Sequence, residues 1–117
     1  MRLLSIMINW YAQQVSYFID LLKAIPEGNG TAYDNTILLW DTELGDPARH
    51  MHTNVPYLLA GGGGSYAKGR YLAYGLGIED KNPTDPHTKL LTSLANQFGA
   101  NVPVFGDPKY PGELSGL

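Results

Sequence analysis

The chain contains no cysteine, which removes disulfides, thiolate zinc sites and a cysteine nucleophile together. Any metal site must then be built from imidazole and carboxylate. A cysteine-free chain is compatible with reducing and oxidising compartments, so localisation stays open. Charge is also sparse: eight Lys and Arg stand against eleven Asp and Glu, giving a formal charge of −3. The basic residues are scattered from Arg2 to Lys109 rather than gathered in a stripe, so nothing supports binding to a nucleic-acid backbone. Long apolar runs are missing as well. The opening MRLLSIMINWYA is interrupted by Asn9, Gln13 and Gln14 before it reaches spanning length, and no small-residue cleavage site follows closely. It reads as the start of an amphipathic helix rather than a membrane span or signal sequence. No Gly-x-Ser-x-Gly occurs, so Ser65, Ser93 and Ser115 lack the setting of a nucleophile elbow.

What is present suits one folded domain. Hydrophobic residues make up 44% of 117 positions against 16% charged, a balance that excludes disorder, and the length allows one modest core. Leu4, Ile8, Tyr11, Val15, Phe18, Leu22 and Ile25 recur at spacings of four and three, which predicts a helical face ending at Pro26. Trp10, Tyr17 and Leu21 widen that face. So broad a stripe implies packing on a sheet and against further protein, either a second copy or a missing N-terminal region.

Turn formers fill 26–35, after which Thr36-Ile37-Leu38-Leu39-Trp40 is an apolar run of strand length. Val55-Pro56-Tyr57-Leu58-Leu59-Ala60 is a second, ended by four glycines. Uninterrupted apolar strands between helices are typical of parallel sheets covered on both faces. The expected fold is α/β, with strands 36–41 and 55–60 adjacent and parallel and with helices near 4–25 and 86–98 on the sheet. The connection between the strands is about a dozen residues, close to the minimum for a parallel crossover, and a hairpin is the rival. The stretch 75–85 reads as irregular. Asp85 can cap a helix with Pro86 in its first turn, Leu90, Leu91, Leu94, Ala95 and Phe98 on its apolar face and Gly99 as its stop. The tail from Val102 holds three prolines and three glycines and should lie over the surface as extended chain.

Candidate chemistry lies in the loop 41–54, beyond the carboxyl end of the first strand, where open α/β sheets place their ligands. His50 and His52 project to one side if the backbone is extended. With Glu43 or Asp41 they offer nitrogen and oxygen ligands suited to zinc, manganese or iron. Gly62-x-Gly64-x-x-Ala67 matches a dinucleotide fingerprint only superficially, because Lys68-Gly69-Arg70-Tyr71 follows instead of a helix. Lys68 and Arg70 can draw an anionic small molecule toward this loop. His87 reads as a surface residue of a first helical turn.

Segments spread along the chain resemble the end of the HXXSHH-motif proteins, a bacterial family of unknown function related to the alkaline-phosphatase and sulfatase superfamily. They include Asn9-Trp10-Tyr11-Ala12, Glu27-Gly28-Asn29-Gly30-Thr31, Asp34-Asn35-Thr36, His50-x-His52, Val55-Pro56, Leu59-Ala60-Gly61-Gly62 and Phe105-Gly106-Asp107. The resemblance implies that residues 1–117 form the C-terminal portion of a larger alkaline-phosphatase-like domain with a mainly parallel sheet, of a parent that hydrolyses phosphate or sulfate esters with divalent metals and belongs to an exported group. It places Glu43, His50 and His52 near the metals. Leu44 stands where the superfamily has a histidine, and leucine cannot bind metal. The name-giving histidine cluster and the nucleophile strand have no counterpart here, which makes the isolated chain inactive on this reading. A non-catalytic binding or structural domain that retains the fold without the site is the alternative.

Overall fold

The structure, a computed structural model, describes residues 2–74 and 85–117. The irregular stretch expected at 75–84 lies outside them. The chain divides into two compact units, 1–38 with 61–63, and 39–60 with 64–117.

The first unit is built around helix α1, Arg2–Ala24. A strand β1, Pro26–Glu27, then pairs antiparallel with β2, Gly30–Thr31. Pro26 pairs with Thr31 and Glu27 with Gly30, so two residues turn the chain, Gly28 and Asn29, the composition that tight hairpins favour. A 3₁₀ turn follows at Ala32–Asn35. Asp34 secures it: its Oδ2 accepts from the Thr31 N–H and the Thr31 hydroxyl, each at 2.8 Å. Helix α1 packs on this turn and on β2, and Lys23 sets its ammonium 5.0 Å from the Tyr33 ring centroid, a cation–π contact. The half-buried side chains of α1 are Ala12, Val15, Ile19 and Leu22. The packed face is thus rotated from the one the spacing predicts: Leu4, Tyr11, Phe18 and Ile25 are about half exposed.

Gly61–Gly63 close the first unit against the 3₁₀ turn. Gly62 N–H donates to Tyr33 O at 2.8 Å and Gly63 N–H to Thr36 O at 3.0 Å. A Cβ on Gly63 would stand 2.7 Å from the Asn35 backbone, so this run is where one backbone lies against another. That role, not phosphate cradling, accounts for these glycines.

In the second unit β3, Leu38–Asp41, pairs with β4, Tyr57–Ala60. The two predicted strands are adjacent, but they are not parallel. The described residues form two separate two-stranded antiparallel sheets and contain no parallel sheet, which overturns the expectation of a partial alkaline-phosphatase-like, mainly parallel sheet flanked by helices. The physical reason lies in the connection. A parallel return needs a dozen or more residues, usually as a helix, whereas part of 42–56 is spent on a tight hairpin bridged at Asp46 and Met51. The apolar runs misled because half-buried strands of a two-stranded ribbon can be as apolar as strands covered on both faces. No residue of β3 or β4 is fully buried, and Asp41, Tyr57 and Leu58 are exposed.

Helix α2, His87–Gln97, begins one turn position later than a cap at Asp85 would give. Asp85 instead accepts from Lys89 Nζ at 3.1 Å. The helix stops at Gly99 as expected, with Ala100 N–H reaching back to Ala95 O. Its buried residues are Leu90, Thr92 and Ser93, while Phe98 is 69% exposed. The tail is held by the helix's polar residues: Thr92 Oγ1 accepts from Phe105 N–H, Ser93 Oγ from Leu114 N–H, and Asn96 exchanges two bonds with Val102.

Candidate functional site

The loop leaving β3 folds on itself for local reasons. Pro47 follows Asp46 and presets a turn. Asp46 Oδ1 accepts from the Ala48 and Arg49 N–H groups at 3.0 and 3.3 Å. Met51 N–H then donates to Asp46 O at 3.1 Å and Gly45 N–H to Met51 O at 3.0 Å, closing a four-residue hairpin loop. His50 completes the turn with φ of 54°, and Asn54 also has φ of 54°, the left-handed region that non-glycine residues enter sparingly. Gly45 sits where a Cβ would overlap Thr53 O and stand 2.9 Å from Asn54 O. Gly45→Ala should therefore displace the loop and destabilise the chain by about 2 kcal/mol through overpacking. Urea unfolding measures it, and a loss below about 0.5 kcal/mol, the range of neutral surface changes, would show that the contact is not tight.

This geometry sets the three predicted metal-site residues apart. An extended backbone would aim His50 and His52 to one side, but the positive φ at His50 breaks that premise. Glu43, His50 and His52 are all exposed. Among the described residues no group of three His, Asp or Glu side chains stands together as a metal-holding set. The donors of the loop do not by themselves fit a divalent ion. Glu43 meets His52 through its backbone, with its carbonyl oxygen 3.3 Å from His52 Nδ1. A carbonyl only accepts, so in this contact His52 Nδ1 is the donor.

His52 lines a cleft of about 870 Å³ in the second unit, together with Lys68, Arg70, Tyr66, Tyr74 and His87. Val55, Leu59, Leu90 and Leu114 supply apolar wall. Of the lining residues, Tyr66 and Leu90 are buried, 6% and 5% exposed. Arg70 Nε donates to Ala67 O at 2.9 Å, which fixes the guanidinium beside the rim. Tyr74 donates from its hydroxyl to Ser115 O at 2.7 Å. Burial pushes the Tyr74 phenol above its usual value, with Arg70 opposing and Asp85 reinforcing the shift, so it remains a neutral donor. Asp85, the one acidic side chain among the described residues of the lining, is engaged by Lys89.

No family model, curated protein or solved structure matches the chain. The sequence reading singled out Lys68 and Arg70 as attractors for an anion and His52 as a ligand; the cleft brings them onto one lining. It missed Tyr66, Tyr74 and His87, which lie in the loop 64–74 and at the start of α2. The signal for the two tyrosines was a run of aromatic and basic residues, Tyr66 to Tyr74, too short to show where it folds. Among the described residues no helix is long and apolar enough to cross a membrane.

Proposed function

We propose that this chain binds an anionic small molecule bearing a phosphate or sulfate group and does not by itself carry out catalysis. The observation that carries the reading is the convergence of Lys68 and Arg70 on one cleft lining, where the Asp85 carboxylate is taken up by Lys89. A guanidinium presents paired N–H donors that match the oxygens of phosphate or sulfate, and an ammonium adds a point charge. The tyrosines and leucines of the lining suit an organic group on the ester, as binding clefts are mostly apolar with a few placed polar groups.

The resemblance to the HXXSHH-motif proteins supports the same ligand class, since its superfamily acts on phosphate and sulfate esters. It also supports a role as part of a hydrolase. His52 favours that second reading: a neutral histidine whose Nδ1–H is held by a carbonyl keeps Nε2 available for a metal or a proton. Hydrolysis with metals needs an attacking group, metal and charge stabilisation assembled together, and the loop supplies one imidazole toward them.

The test is incubation with 4-nitrophenyl phosphate and 4-nitrophenyl sulfate, with and without added zinc or manganese, beside an equilibrium binding measurement for the same compounds. Binding without turnover above the blank is expected. Turnover that disappears in His52→Ala would replace the binding reading by a catalytic one, and absence of binding to either ester would remove both.

A further inference from the structure

Helix α1 carries two apolar faces. One, with Ala12, Val15, Ile19 and Leu22, is half-buried in the first unit. The other is the row Leu3, Met7, Trp10, Gln14, Tyr17 and Leu21, all exposed, with Leu3 78%, Trp10 54% and Tyr17 61% accessible. At about 100° per residue the centres of the two faces are roughly 140° apart, with the exposed Tyr11 and Phe18 on the arc between them. The spacing of the exposed row is four, three, four, three, four without exception. That is the seven-residue repeat of a helix that packs along its length on another helix.

From this repeat and its exposure we infer that α1 pairs with α1 of a second copy of this chain, in a parallel, in-register arrangement about a twofold axis. Area favours a protein occupant of this size. The row's Leu3, Met7, Trp10, Tyr17 and Leu21, with Ile6, Tyr11 and Phe18 flanking them, are 43–78% exposed. At about 100 Å² for a half-exposed large side chain these eight present on the order of 800 Å². A monomer's largest apolar patch is typically about 300–600 Å², and a stable interface takes about 800 Å² per partner. Closed twofold dimers are the commonest assembly. Orientation follows from Gln14, the polar residue within the seam. In a parallel pair in register it meets its own counterpart, and two amides can satisfy each other's donor and acceptor. In an antiparallel pair centred on the seam it would face Trp10, leaving part of the amide without a partner. A single polar residue in such a seam sets register and strand number. This pairing lies in the first unit and is independent of the cleft.

The absence of cysteine makes the test direct. The unsubstituted chain should sediment or scatter as a species of twice its 12.8 kDa at micromolar concentration. In L21C under mild oxidation, the disulfide-linked dimer should be the major species. A disulfide needs Cα atoms within about 7 Å, whereas in an antiparallel pair the two copies of residue 21 would lie roughly 27 Å apart. N9C, off the seam, should remain uncrosslinked under the same conditions. A monomer in the unsubstituted chain overturns the inference and leaves the face to another covering protein segment. A dimer in which L21C does not crosslink overturns the parallel register.

Discussion

Gly61→Ala should destabilise the chain by about 3 kcal/mol, adding a left-handed penalty to a steric one. Gly61 has φ of 101°, and a Cβ there would overlap the Thr36 carbonyl oxygen, with Tyr33 O at 3.4 Å. Neither obstacle is a flexible side-chain end, so neither yields without moving backbone. Movement would in turn pull on the bonds from Gly62 to Tyr33 and from Gly63 to Thr36, which join the glycine run to the 3₁₀ turn. Urea unfolding followed by circular dichroism should show a lower midpoint at unchanged slope, the mark of a stability change. A variant within about 1 kcal/mol of the parent would mean that the run is loosely held, since single strained dihedrals alone cost that much.

Two threonines one turn apart on α2 should respond in opposite directions to the same substitution. Thr92 is fully buried, donates to Thr88 O at 2.8 Å and accepts from Phe105 N–H at 3.0 Å. Thr92→Val keeps the shape and removes the hydroxyl, so the Phe105 N–H is left without its acceptor and one of the bonds that hold the tail is lost. The expected cost is about 1–3 kcal/mol, because leaving a partner unsatisfied costs more than the bond's net worth. Thr88 Oγ1 is buried and has no hydrogen-bond partner among the described residues. Thr88→Val removes a polar atom that receives nothing for its burial and should be neutral or stabilising by up to about 1 kcal/mol. Thermal unfolding of the two variants side by side measures the contrast. Equal destabilisation would indicate that methyl packing rather than hydrogen bonding governs this helix.

The parts of the fold that were legible in the sequence are those set by local chemistry. Helical spacing ended by Pro26, a glycine stop at Gly99 and apolar runs at 36–40 and 55–60 each act within a few residues, and each corresponds to an element of the structure. Strand direction is set by what the connection does. Here Asp46 and Pro47 turn the chain early, a signal visible in the residues but outweighed by the apolar character of the strands. Which face of α1 packs was also hidden, because a helix apolar on two sides gives two nearly equal answers. The tail's attachment was hidden for a third reason: Thr92, Ser93 and Asn96 read as ordinary polar helix residues until the chain that they hold returns to them. For the site, residue types indicated an anion near Lys68 and Arg70. The premise that His50 and His52 share a direction depended on a backbone conformation that the Asp46–Met51 hairpin does not adopt at His50.

Nuclear magnetic resonance of the uniformly labelled chain, titrated with inorganic phosphate at constant ionic strength, tests the central claim most directly. Saturable shifts should concentrate on the amides of His52, Lys68 and Arg70, and sulfate should reproduce them. Replacing both cations in Lys68→Ala/Arg70→Ala should weaken the apparent affinity at least about tenfold, since one charge-assisted hydrogen bond is worth at least about 1.4 kcal/mol. Shifts that fail to saturate, that spread evenly over the chain, or that persist unchanged in the double variant would contradict an anion site in this cleft.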